Sequence, residues 1–220
     1  MEEKRLTIIG PVGIKKVVEG LNVVNPYLPY EINVIENPKE YLTKDFIIKT
    51  IDLEHSSPCI GYKFYFKRNP IFSVEKATLN NVPKNLWGKL QKEKDIIEFE
   101  GKVYKKEMVL GQKRKGITLS YVTDTRPIEQ IVSFIENSDL FVCEGTYGKD
   151  EDIEKAIKNK HMTFREAAIL AREGKVKELI LTHFSTAITE PKEYINNGKS
   201  EFKNIILGED GLKKELKFSD

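Results

Sequence analysis

Three short apolar runs in this chain stop at a residue able to bind metal. Residues 46–53 run into His55, residues 117–122 into Asp124, and residues 176–181 into His183. Runs of this length, bounded by turn residues, read as β-strands. Between them lie helical patterns. Ile14, Val17, Val18 and Leu21 recur at spacings of three and four, Ile128 to Ile135 follows Pro127, and Ala167, Ala168, Leu170 and Ala171 follow Thr163-Phe164-Arg165-Glu166. The last tetrapeptide has the form of a capping box, and a proline suits a first helical turn. Strands alternating with helices make an α/β protein. Further strands are expected at residues 6–9, 31–35, 59–66, 140–143 and 204–207. Residues 46–53 and 59–66 read as an antiparallel pair with His55 at the bend. The first strand is apolar on both faces and reads as central in its sheet.

His, Asp and His on separate strand ends share a rigid floor, and this donor set suits zinc. Asp124 offers two carboxylate oxygens and could bridge a metal pair. Its alternative is an Asx-type cap of the turn before Pro127. His161, the remaining one of three histidines, precedes a capped helix in a charged loop. That position suits a mobile proton donor better than a ligand. Glu144, at the end of the run 140–143, could accept a hydrogen bond from its ring. The alternative is a surface histidine that helps begin the helix.

Composition narrows the partners. With 36 basic and 34 acidic residues the net charge is +2, so a nucleic-acid partner would need a local patch. Residues 67–115 supply one: Lys84, Lys89, Lys113, Arg114 and Lys115 could track phosphates, and Trp87, the single tryptophan, could stack on a base. A solvated face, and a tryptophan that anchors this segment to the body, are the alternatives. The segment reads as an excursion from one domain spanning residues 1–220. No apolar run approaches the ~18 residues of a membrane span, and Met1-Glu2-Glu3-Lys4-Arg5 has no signal-peptide character. Cys59 and Cys143 sit in apolar runs and are expected to be reduced and buried, which fits a cytoplasm.

Taken in order, Leu53-Glu54-His55, Gly61-Tyr62, Val109-Leu110-Gly111, Arg114-Lys115-Gly116, Thr123-Asp124-Thr125-Arg126-Pro127, Glu144-Gly145-Thr146-Tyr147, His161-Met162-Thr163 and Leu181-Thr182-His183-Phe184-Ser185 resemble ribonuclease Z. That is the tRNA 3′-processing endonuclease of the metallo-β-lactamase superfamily. The resemblance implies an αββα sandwich with two zinc ions, manganese being an alternative, in a cleft between the sheets. It implies His55, Asp124 and His183 as metal ligands, with Asp124 bridging. His161 would be an auxiliary catalytic histidine with Glu144 as its partner. Residues 67–92 would match the arm that grips tRNA, although Lys84-Asn85-Leu86-Trp87-Gly88 stands where the arm often has a Gly-Pro pair. Precursor tRNA and a second copy of the chain are the implied partners. The family's His-x-His-x-Asp-His signature is absent from the sequence, and Thr186-Ala187-Ile188 replaces a His-x-Ser-x-Arg-Tyr ending. The expectation is therefore a sandwich lacking its N-terminal part, inactive alone unless that segment is supplied separately. Another phosphodiesterase or hydrolase of the superfamily, or a non-catalytic RNA- or partner-binding remnant, are the other readings.

Overall fold

The register of one mixed sheet brings the candidate ligands to a common edge. The computed structural model describes residues 5–92 and 94–219. In chain order the elements are β1 (Arg5–Gly10), α1 (Ile14–Asn22), β2 (Glu31–Glu36), β3 (Glu40–Leu42), β4 (Phe46–Leu53), β5 (Cys59–Phe66), α2 (Val74–Leu79), α3 (Lys84–Lys92), β6 (Ile96–Phe99) and β7 (Lys102–Lys105). There follow β8 (Ile117–Val122), α4 (Glu129–Ile135), β9 (Leu140–Glu144), α5 (Ile153–Asn159), α6 (Phe164–Glu173), β10 (Leu179–Thr182), α7 (Ile195–Lys199) and β11 (Ile205–Leu207). Seven strands pair in the order β11-β10-β9-β8-β5-β4-β3. Strands β8 to β11 are mutually parallel, whereas β5 runs against β8, β4 against β5, and β3 against β4.

This topology follows from the connections. Each parallel step passes through helix, as parallel pairing requires, and β9 and β10 are buried along nearly their whole length, with α6 packed against both. Leu53 pairs with Cys59 across a tight turn, so β4 and β5 form the expected antiparallel pair. Strand β4 therefore ends where β8, β9 and β10 end. A parallel two-stranded sheet, β1 with β2, is joined through α1. Strand β1 has this one partner among the described residues and Leu6 is exposed, so it does not show the two-sided burial its apolar run suggests. The Tyr62 hydroxyl donates to the Ile9 carbonyl at 2.8 Å, which ties the small sheet to the large one.

Phe141, Phe164, Leu179, Leu181, Ile131 and Ile135 are fully buried in the main core. Helix α6 contributes Ala167, Ala168 and Ala171 to that core, small side chains that allow it to lie close on β9 and β10. Thr163 caps it, accepting from the Glu166 amide at 3.2 Å while Glu166 accepts from the Thr163 amide at 2.9 Å. One boundary differs from the sequence reading, and three short elements were not legible in it. Strand β10 begins at Leu179, not Val176, because the Val176 amide still donates to the Ala171 carbonyl at the close of α6. The short β3, α5 and α7 carry too little periodicity to be read from sequence.

By its contacts the chain forms two compact units, one of Met1–Phe66 with Ile117–Glu215, the other of Lys67–Gly116 with Leu216–Asp220. The second has its own core of Ala77, Val82, Leu86, Leu90, Tyr104 and Val109. Among the described residues no helix is long and apolar enough to cross a membrane.

Candidate metal centre

His55 follows β4, Asp124 follows β8, Glu144 closes β9, and His183 follows β10. All four strand ends lie on the edge just described. His161 reaches them from the α5–α6 connection, where Tyr147 and Thr163 form an isolated bridge. Asp124 (φ 58°) and His183 (φ 58°) adopt left-handed backbone, as does Lys160 (φ 60°) beside His161. Such a conformation costs a non-glycine residue about 1 kcal/mol or more, and strain of this kind gathers at functional sites.

The side chains converge. His183 Nε2 lies 3.0 Å from Asp124 Oδ1, and His161 Nδ1 lies 4.0 Å from the same oxygen. The His161 ring sits between the other two, its centroid 5.1 Å from that of His55 and 5.3 Å from that of His183. Each imidazole has its Nδ1 engaged by the protein. His55 Nδ1 faces the Lys160 carbonyl at 3.4 Å, His161 Nδ1 faces the Glu144 carboxylate at 3.2 Å, and His183 Nδ1 faces the Thr146 hydroxyl at 3.0 Å. The first two partners accept, so they place the ring proton on Nδ1 and leave Nε2 with a free lone pair. Metal-binding histidines are held in this way. Among the described residues, two groups bring three ligand atoms within 4.8 Å of one another: His55, Asp124 and His161, and Glu144, His161 and His183.

Glu144 is the weak member of the second group. It is fully buried. Its Oε1 accepts from the Thr125 amide at 2.6 Å, and its Oε2 accepts from the Thr146 hydroxyl at 2.7 Å and the Met162 amide at 2.9 Å. With the His161 ring as fourth neighbour, its acceptor capacity is spent. The carboxylate serves as a structural hub for three loops.

No family model matches the chain. A ribonuclease Z of Clostridium botulinum (strain Eklund 17B / Type B) is 53% identical over 233 residues, covering 99% of this chain and 74% of that protein. A ribonuclease Z of Clostridium beijerinckii is 55% identical over 222 residues, covering 98% of this chain and 72% of that protein. The chain belongs to the ribonuclease Z family. Solved structures agree on the fold. YhfI of Bacillus subtilis, a metallo-β-lactamase fold protein, superposes with a TM-score of 0.61 at 17% identity, over 94% of this chain and 64% of that one. The short form of human tRNase Z superposes with a TM-score of 0.58 at 17% identity, over 96% of this chain and 68% of that one. The fold is therefore of the metallo-β-lactamase type, as the resemblance implied.

In this ribonuclease Z family member the loops at the edge are wired together. The Glu54 amide donates to the Thr125 hydroxyl at 3.0 Å, and the Arg126 amide donates to the Glu54 carbonyl at 3.1 Å. The Arg126 guanidinium, mostly buried, forks onto Glu166 and also donates to the His161 carbonyl. His161 is thus held at its backbone by Arg126 and Ala156 and at its ring by Glu144. Thr146 and Arg126 were not singled out in the sequence. The hydroxyl two residues beyond Glu144 was a visible signal, whereas nothing local points from Arg126 to Glu166, forty positions on.

The residues expected to face RNA all lie in the second unit. Lys84 and Lys89 are exposed on α3, and Lys113 and Lys115 are exposed in the loop before β8. Arg114 is half-buried, its Nε donating to the Asn69 carbonyl at 2.8 Å. Trp87 is half-buried within its own unit. Its indole N–H donates to the Val82 carbonyl at 2.8 Å and its ring packs on Phe72 at 5.2 Å.

Proposed function

We propose that this protein acts as a zinc-dependent endoribonuclease that removes the 3′ trailer of precursor tRNA. The observation that carries the reading is the convergence of His55, Asp124, His161 and His183, with each Nδ1 occupied and Nε2 left for another partner. This donor set fits zinc, and manganese would be accepted by the same atoms. His55 and His183 would each hold a metal, and Asp124, with one oxygen at His183 Nε2, would bridge the pair. When bound, such metals polarise a phosphoryl oxygen and ease the ionisation of water.

The chain's own groups handle orientation and protons. Glu144 holds the Nδ1 hydrogen of His161, so the ring, once its other nitrogen has taken up a proton, is placed to pass that proton to the leaving alkoxide. Lys84, Lys89, Lys113, Arg114 and Lys115 would neutralise phosphates of the tRNA body, with the Trp87 ring offering one face to a base. In this reading residues 67–115 form an arm on one catalytic domain, and the protein works in the cytoplasm as a homodimer.

A two-metal centre needs more donors than these residues bring, so the proposal includes a contribution from a segment bearing the His-x-His-x-Asp-His motif. The test is an assay on precursor tRNA with a 3′ trailer, in Zn²⁺ or Mn²⁺, with the 220-residue chain alone and with that segment supplied. Cleavage next to the discriminator nucleotide, restored by the segment and abolished by Asp124→Asn, is the expected result. Hydrolysis confined to small phosphodiesters, or no cleavage even with the segment, would overturn it.

A further inference from the structure

We infer that Thr146 sets the tautomer of His183, and so presents Nε2 of that ring to a metal ion. The inference rests on the reading of His183 as a ligand and names the residue that makes it one. The Thr146 hydroxyl is buried, 6% of the residue being exposed. It lies 2.7 Å from Glu144 Oε2, 3.0 Å from His183 Nδ1 and 3.1 Å from the His183 carbonyl. A hydroxyl has one proton to give and two lone pairs to receive. Glu144 Oε2 already takes the Met162 amide, a group that can only donate, so that oxygen is an acceptor. Were the hydroxyl proton turned to the ring or to the carbonyl, two acceptor oxygens would face each other at 2.7 Å in a buried site. The proton therefore goes to Glu144, the shortest of the three contacts. What remains toward the ring is a lone pair, and His183 Nδ1 must bring the hydrogen. That leaves Nε2 as the nitrogen turned to Asp124 Oδ1 at 3.0 Å, a contact that needs a hydrogen between the two atoms or a metal ion shared by them.

The arrangement makes Glu144 the common support of two histidines. It holds His161 directly and His183 through one hydroxyl. Thr146 is thus a positioning residue, and its backbone position does not depend on that hydroxyl. The Gly145 amide donates to the Thr182 carbonyl at 2.8 Å and the Ser185 amide to the Thr146 carbonyl at 3.0 Å, which zips the two loops together beyond β9 and β10. Thr146→Val keeps the shape and removes only the hydroxyl. Thr146→Ser keeps the hydroxyl.

The experiment is long-range ¹H–¹⁵N correlation of the imidazoles in the metal-free chain, followed by Zn²⁺ titration against a chelator of known affinity. With three histidines in the sequence, one variant assigns the His183 signals. The expected spectrum shows a hydrogen on His183 Nδ1 in the parent and in Thr146→Ser, and a mixture or a form with its only ring hydrogen on Nε2 in Thr146→Val. Zinc affinity is expected to fall about 10- to 100-fold in Thr146→Val, the range typical of lost support to a metal-bound histidine, and to recover in Thr146→Ser. A parent His183 with its only ring hydrogen on Nε2 would overturn the inference. So would a folded Thr146→Val that keeps the parent tautomer and affinity. A chain that shows the expected tautomers yet binds no zinc even with the His-x-His-x-Asp-His segment supplied would uphold the role of Thr146 and sink the metal reading, so the two failures are separable.

Discussion

Glu144→Gln should destabilise the protein more than its size suggests. The substitution preserves shape and replaces one carboxylate oxygen with an NH₂ group. In the structure each oxygen receives one backbone amide: Oε1 that of Thr125 at 2.6 Å, Oε2 that of Met162 at 2.9 Å. The Thr146 hydroxyl can rotate and the His161 ring can change tautomer, but neither amide can become an acceptor. Whichever way the glutamine amide turns, its NH₂ therefore meets an N–H at a site with no access to water. One charge-assisted bond is lost, and a buried donor is left without a partner. The two effects together come to about 3 kcal/mol. Against a typical total of about 5–15 kcal/mol this is a large share. Urea unfolding followed by circular dichroism measures it, provided the slope of the transition is unchanged between parent and variant. A loss below about 1 kcal/mol would refute the reasoning, because the hub could then absorb a misplaced donor.

Arg126→Lys removes the forked contact with Glu166 and the bond to the His161 carbonyl in a mostly buried position. The thermal midpoint should fall by roughly 5 °C, from a loss of about 2 kcal/mol. Gly174→Ala would place a methyl 2.5 Å from Ile135 Cγ1 and 3.1 Å from the Leu170 carbonyl oxygen. A loss of about 1–3 kcal/mol is expected by urea unfolding, as for other overpacked sites. Burial, with Asp124 nearby, pushes the Cys59 thiol up to about 11 from an ordinary 9.0. At pH 8 its thiolate fraction should be about 100-fold below that of an unperturbed cysteine. Alkylation of the folded chain by iodoacetamide, followed by mass spectrometry, should show that lag, and equal rates in folded and unfolded chain would contradict it.

Much of this protein was legible in the chain itself, and the reason is locality. Residues 46–53, 59–66, 117–122 and 140–143 declare strands because burial of a strand face is written within a few neighbours. Thr163 and Glu166 declare the start of α6 because a capping box closes over four residues. His55, Asp124 and His183 could be picked out because each follows such a run directly. Their meeting was not legible. It depends on β5 running against both β4 and β8, which returns the β4 end to the edge where β8, β9 and β10 stop. The same holds for the left-handed turns at Asp124 and His183, the buried hub at Glu144, the hydroxyl of Thr146 and the grip of Arg126 on Glu166. Each of these couples segments tens of residues apart, where no periodicity or spacing in the chain carries the signal. The sequence by itself determined which atoms could serve a metal. Tertiary structure decided which partner each ring nitrogen meets, because hydrogen bonds from distant loops set that choice.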